Sequence, residues 1–411
     1  MNIVFLSIGG LNDLSENAVY PDLLRRFRDE GHSVHVVCQR EKRLGLDTEM
    51  NVEHGIKVLR VKTGNITKTN LIEKGISTIL IGWQFKNAIN KYFGDTKFDL
   101  VLYSTPPITI ANTVSFIKKR DSAISYLMLK DIFPQNAIDI GLLNNTGWKS
   151  LIYKYFRRKE KQLYLMSDYI GCMSEANVKF VLRHNPYIDR DNVEICPNTI
   201  NSLVKKYVDK NQIRSRFHLP KDKIIFVYGG NFGKPQNVDH IIEVLKDNEL
   251  NDLIHFVMVG SGTDFHKIKE YNKQTSDDYI TVLNSLNKVE YDDLLDACDV
   301  GLIFLDYRFT IPNFPSRLLD YMNHEIPVLA ATDTNTDVGQ VITNGKFGWW
   351  CESKGTKTYK EIIEMIISEK DSLSKIGMNG KQYLELNYRT EKAYNTIMNH
   401  FNNEEKRQLN V

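Results

Sequence analysis

The sequence predicts two α/β domains in tandem, each a mainly parallel sheet with helices on both faces. Apolar runs of strand length alternate with helix-period segments along nearly the whole chain. The same alternation recurs in the second half. A chain of 411 residues also exceeds one ordinary core and fits two domains of about 200 residues each. Strands covered on both faces read as near-continuous apolar runs rather than alternating ones.

In the first half NIVFLSI reads as a strand, followed by a helix through Ala18–Asp29 that Gly31 can close in the left-handed position. VHVVC and IKVLRV are strands, and Leu71 to Phe93 is a long helical pattern. DLVLYS, a helix through Thr109–Lys119, AISYLML, a helix through Trp148–Met166, DYIGCMS and VEICPNT follow. The second half supplies the strands IIFVYGG, HFVMVGSG, YITVLNSL, VGLIFL and PVLAA, and the chain ends in helices. A polar seam near Asn201–Lys223 divides an N-terminal domain of residues 1–200 from a C-terminal domain of residues 201–385. Residues 386–411 are expected to form a helix packing back on the first domain.

Composition narrows the function. The apolar fraction is 42%, the charged fraction 25% and the formal charge +2, values ordinary for a globular protein. That balance gives no bulk attraction to nucleic acid, so any basic patch must be local. The five cysteines are scattered without a CxxC pair, so metal-site spacing is absent, and their odd number argues against a complete disulfide framework; a reducing, cytoplasmic compartment is expected. Asn2 to Ile8 is apolar but short and lacks a basic leader, so it reads as a first strand rather than a signal peptide. The longest apolar stretch, Ile76 to Phe85, is too short to span a bilayer.

The sharpest local signal is YGGNFGKPQN at 228–237, where a strand runs into a glycine turn and then a helix start. Gly230 and Gly233 let the backbone approach a ligand, a helix start offers unpaired N–H groups, and Lys234 adds a cation. These are what a diphosphate requires, although the spacing is neither GxxxxGK[ST] nor GxGxxG; a tight turn with an exposed lysine is the competing reading. A second element is PNFPSRLLDYM at 312–322. Ser316 is a natural N-cap, which places Arg317 in the first helical turn where a cation opposes the helix dipole. A bound anion would explain it; an Arg317–Asp320 surface pair is the alternative. On the acceptor side, Asp131 follows a strand and faces a cleft, or else is a turn aspartate before Phe133-Pro134. His32 and His35 read as a helix-end and a strand residue.

The order of GNFGKPQ, the Gly260-Ser261-Gly262 turn, VLNSL, YDDLLDACDVGLIFL and PSRLLDYM-x4-PVLA resembles the C-terminal domain of family 4 glycosyltransferases of the GT-B fold, two facing Rossmann-like domains. It is most similar to the bacterial branch that builds O-antigen and capsular polysaccharides, including amino-sugar transferases, and the "DIFPQ" segment fits that branch. The resemblance is specific from Val193 to Ala331. It implies that Gly230, Asn231, Gly233 and Lys234 cradle the donor diphosphate, with Ser316 and Arg317 beside it. It implies Asp320 on the ribose, Leu286 at the base, and Gly9 and Gly10 closing from the other domain. Pro312 stands where the first acid of the family's E-x7-E pattern falls, and Glu325 replaces the usual glycine before PV, so that turn is expected to differ.

The resemblance implies retaining transfer of a sugar, including an N-acetylated amino sugar, from a UDP-linked donor to a lipid-linked glycan. Catalysis would rest on Lys234, Arg317 and Asp131, without a protein nucleophile, and no metal or other cofactor is expected. A UDP-N-acetylhexosamine epimerase of the same fold and an inactive scaffold are the alternatives. Trp148 to Met166 carries six basic residues against Glu160. It reads as an ordinary surface helix or as an interfacial helix on anionic lipid, which would place the protein at the inner face of the cell membrane.

Overall fold

The computed structural model describes every residue except Gly10, Asn12, Lys68, Asn145, Trp148, Lys205–Tyr207, Asp277 and 410–411; the side chains of Leu71, Lys149 and 402–409 are also outside the description. The chain divides into two compact units, residues 1–201 with 390–411, and residues 202–389.

The first unit holds β1 (Asn2–Ser7), β2 (Ser33–Glu41), β3 (Glu49–Glu53), β4 (Ile56–Thr63), β5 (Leu100–Ser104), β6 (Ile124–Leu129), β7 (Tyr169–Cys172) and β8 (Val193–Ile195). They form one sheet in the order β3-β4-β2-β1-β5-β6-β7-β8. All neighbours are parallel except β3, which turns back on β4 through His54 and Gly55, both with positive φ. This short edge strand (EMNVE) alternates Met50 and Val52 with polar residues, but both apolar side chains are exposed, so no buried face marks it as a strand of the core. The helices are α1 (Val19–Asp29), α2 (Leu71–Tyr92), α3 (Ala111–Asp121), α4 (Gln135–Asp139), α5 (Lys149–Met166) and α6 (Glu175–His184).

The second unit holds α7 (Lys210–Arg216), β9 (Ile224–Asn231), α8 (Val238–Asn248), β10 (Ile254–Ser261), α9 (Phe265–Asn272), β11 (Ile280–Asn284), α10 (Lys288–Ala297), β12 (Val300–Phe304), α11 (Arg317–Asn323), β13 (Val328–Thr332), α12 (Val338–Asn344), β14 (Gly348–Glu352), α13 (Lys357–Ser368) and α14 (Leu373–Asn387). Its sheet runs β11-β10-β9-β12-β13-β14, entirely parallel. The order reverses beside β9, a switch point of the kind where open α/β sheets bind ligands beyond the strand ends.

The last helix, α15 (Thr390–Leu409), belongs to the first unit. Ala393 and Ile397 are fully buried in the cluster formed by Ile3, Phe5, Leu24 and Phe27. Tyr394 meets the edge of Phe27 at 5.0 Å and its hydroxyl lies 3.1 Å from the His32 ring. The five cysteines are buried and unbridged.

Helices α10 and α11 are joined by a run of charges. Lys288 donates to Asp292 at 2.7 Å and to Asp320 at 2.9 Å. His324 lies 3.2 Å from Asp292 and 2.7 Å from Asp296. Beyond it α11 ends with Glu325 at φ +57, and the Glu325 and Ile326 amides return to the carbonyls of Met322 and Tyr321. Glu325 thus takes the left-handed position itself and closes α11 with a Schellman turn.

Burial alone would lower the His324 pKa, but Asp292 and Asp296 outweigh it and hold the ring at about 9. Its charged form is therefore favoured by folding. That contribution, about 1–3 kcal/mol, is complete below the usual histidine value of 6.5 and disappears as pH rises through about 9. Urea unfolding should show stability falling across this interval, and a His324→Gln variant should lack the slope. In the first unit, Ile397→Ala should cost about 2–4 kcal/mol in the same measurement, because a fully buried aliphatic leaves a cavity.

Candidate active site

Four glycines shape the carboxyl ends of β9 and β10, for different reasons. Gly260 pairs with Gly230 and Ser261 with Asn231. A Cβ on Gly260 would lie 1.8 Å from the Gly230 carbonyl oxygen, and one on Gly262 2.1 Å from that of Phe232. These two allow the strand ends to close. The space a Gly229 side chain would occupy is filled by the Tyr291 ring. Gly230, at φ +132, is exposed, and its nearest neighbour is the Arg317 guanidinium, whose Nη2 would be 3.1 Å from an added Cβ.

Arg317 is the first residue of α11. Tyr321, one turn on, is fully buried; its hydroxyl accepts from the Gly229 amide at 3.4 Å and lies 3.2 and 3.1 Å from the Val227 and Leu302 carbonyls. This ties the helix to β9 and β12. The Arg317 guanidinium is held 4.3 Å from the centroid of the Tyr228 ring, on the strand face that Gly230 shares. Its Nη1 is buried and has no hydrogen-bond partner. An Arg317–Asp320 pair is not formed, because Asp320 is held by Lys288. Ser316 is exposed, already helical, and its side chain makes no capping bond, which corrects the expected N-cap.

The loop after β9 differs from a simple helix start. Lys234–Gln236 is a single 3-10 turn, and Asn237 follows at φ +51 and caps α8 by accepting from His240. The Phe232 amide donates to the Ser261 carbonyl at 2.8 Å. Gln236 is buried and its Oε1 accepts from the Gly233 amide at 3.2 Å and the Asn231 side chain at 2.9 Å. One of the residues expected to cradle a diphosphate, Gly233, therefore has its amide committed within the loop, as has the neighbouring Phe232. Gln236 was missed in the sequence, although its place three residues after Gly233 is the capping-box spacing. Lys234 is exposed and has no ion pair among the described residues. Leu286 is half-buried just before Asn287, which caps α10 in a reciprocal box with Glu290. Pro312 is buried.

In the first unit, Gly9 is exposed beyond β1 and its amide donates to Ser7 Oγ at 3.0 Å. Gly10 lies outside the described residues. Asp131 follows β6; both carboxylate oxygens accept from Asn136 Nδ2 at 2.8 Å. Desolvation outweighs these bonds and raises its pKa to about 6. The residue before it, Lys130, was not singled out in the sequence. Its Nζ is buried without a partner, and burial lowers its pKa to about 8. The available signal was a lysine in register with the inward-facing Tyr126 and Met128 of β6.

Trp148 lies outside the described residues, as does the Lys149 side chain. Along α5, Arg157 turns inward to Glu160, Asn185 and the His184 carbonyl, while Lys154, Arg158 and Lys161 are exposed. Leu163 and Tyr164 are buried, but Leu151, Ile152 and Tyr155 face solvent. Among the described residues no group of side chains suited to a metal occurs, and no helix is long and apolar enough to cross a membrane.

Residues 209–383 match the family of glycosyl transferases group 1. Over 324 residues the chain is 22% identical to the probable glycosyltransferase WbjE of Pseudomonas aeruginosa, covering 78% of each chain. Sucrose-phosphate synthase of Thermosynechococcus elongatus superposes with a TM-score of 0.73 at 13% identity, over 98% of both chains. Anabaena Alr3699/HepE in complex with UDP and glucose gives 0.70 at 13% identity, over 98% of this chain and 100% of that one. The fold is GT-B, and the protein is a glycosyltransferase.

Proposed function

We propose that the protein transfers a sugar from a UDP-linked donor to a lipid-linked glycan, with retention at the anomeric carbon, in the synthesis of a cell-surface polysaccharide. The observation that carries the donor side is the buried, unpartnered Nη1 of Arg317 beside the open Gly230. A buried donor without a partner is costly, and a cation more so. A diphosphate supplies the missing acceptor. The UDP held by HepE, a protein of the same fold, supports a nucleotide donor. The acceptor reading rests on resemblance to the O-antigen and capsule branch, with α5 as a contact to anionic membrane.

Breaking the anomeric bond leaves negative charge on the nucleoside diphosphate. Preorganised cations stabilise that charge without reorganising during the reaction. Because the amides of Phe232 and Gly233 are engaged, the burden falls on Arg317 and Lys234. Asn231 and the Gly230 backbone position the phosphates, Asp320 the ribose and Leu286 the base. Same-face attack uses the departing phosphate as base. Asp131 orients the acceptor hydroxyl.

Arg317→Ala and Lys234→Ala should each lower turnover about 10²–10³-fold, the scale of losing one oxyanion-type stabiliser, with circular dichroism unchanged. Near wild-type turnover at saturating donor would remove the proposal. A thermal-shift series with UDP, GDP, ADP and dTDP should give the largest rise with UDP. Conversion of donor sugar without acceptor would replace transfer by epimerisation. Since Asp131 acts as carboxylate and its pKa is about 6, turnover should fall as pH drops through 6. Asp131→Asn should be slow and lack that acidic limb.

A further inference from the structure

Helix α2 is apolar on two faces, and only one of them is covered. Ile81, Phe85 and Ile89 are fully buried against the first unit. On the other side Ile72, Ile76, Ile79, Leu80 and Trp83 are 46–77% exposed. Their spacing of four, three, one and three residues makes a single stripe along the helix. A continuous apolar stripe with a tryptophan left in water marks an interaction surface.

The charge around it indicates what covers it. Helices α2, α3 and α5 pack side by side, α2 on α3 and α3 on α5. Together they carry twelve lysines and arginines against three acids, in a chain whose net charge is only +2. Each of those acids is held by a basic neighbour: Glu73 by Lys42, Asp121 by Arg120 and Glu160 by Arg157. Lys86 and Lys119 border the groove beside Ile79 and Trp83 and have no ion pair among the described residues. Lys42 and Lys62 border Ile72, Ile76 and Leu80. Lys42 and Lys62 are paired with Glu73 and Asp47, so the uncompensated charge is that of Lys86 and Lys119; an apolar stripe flanked by such cations fits the headgroup–acyl boundary of an anionic bilayer. A second copy of the chain would bring the same excess of positive charge against itself.

We infer that α2 is the apolar anchor by which the protein lies on an anionic membrane, with α3 and α5 supplying the basic surround. The inference rests on the reading that the acceptor is borne by a lipid. It assigns the contact mainly to α2 rather than to α5 alone.

The test is flotation with vesicles of phosphatidylglycerol and phosphatidylethanolamine, alongside phosphatidylcholine vesicles. Wild type should float with the anionic vesicles, and less so at high salt. The Ile76→Gln, Ile79→Gln, Trp83→Gln triple variant should partition about tenfold less, because binding scales with inserted apolar area. Lys86→Glu with Lys119→Glu should also lose at least about fivefold per site. Stabilisation by UDP, measured on the same variants, should be unchanged. If wild type fails to float, or the triple variant floats as well as wild type, the inference is overturned while UDP binding still supports the donor site. A wild-type dimer that the triple variant dissociates, without vesicle binding, would assign the stripe to a second copy. Vesicle binding without any effect of UDP would instead count against the proposed donor site alone.

Discussion

The Tyr321 hydroxyl is the contact on which the candidate site depends. Fully buried over Gly301, it reaches the Gly229 amide and the Val227 and Leu302 carbonyls, so one side chain joins α11 to two adjacent strands. In a buried setting each of those backbone groups gains a partner it would be costly to lose. Four residues earlier on the same helix, Arg317 is carried to the open edge of β9 over Tyr228. The glycines then make sense as a set. Gly229 and Gly301 admit the tyrosines that anchor the helices, Gly260 and Gly262 let β9 and β10 meet, and Gly230 leaves a space beside the guanidinium.

Arg317 is locally unfavourable twice over. It is a cation at a helix N-terminus, and one of its nitrogens is buried without an acceptor. Proteins break such rules where function requires it and compensate elsewhere. The compensation here is rigid packing: the tyrosine brace, the Gln236-locked loop and the charge run from Asp320 to Asp296 hold the surroundings still. Lys130 repeats the pattern in the first unit, where a buried amine without a partner precedes a carboxylate of raised pKa.

The exposed face of α2 shows why periodicity is a partial guide. An amphipathic helix announces its buried side because the other side is polar. A helix apolar on both sides gives little such signal, so the sequence marked a long helix at 71–93 and nothing about its surface. The charges of α5, by contrast, are conspicuous in the sequence. There the structure turns Arg157 inward and leaves Leu151, Ile152 and Tyr155 outside, a division the charge pattern alone did not give.

Local chemistry made much of the molecule legible. Strand-length apolar runs between helical segments determined the α/β architecture, since a parallel sheet covered on both faces requires that alternation. The GGN turn and the out-of-place Arg317 marked the site because glycine tolerance and helix polarity are properties of a few consecutive residues. Tertiary structure decided everything that needs a second segment. It chose Lys288 over Arg317 as the partner of Asp320, and gave the Gly233 amide to Gln236. It put Glu325 in the left-handed turn and left Arg317 Nη1 unpaired. The reason is common to all of these: partner choice and burial depend on atoms distant in the chain, and spacing along one segment carries no record of what packs against it.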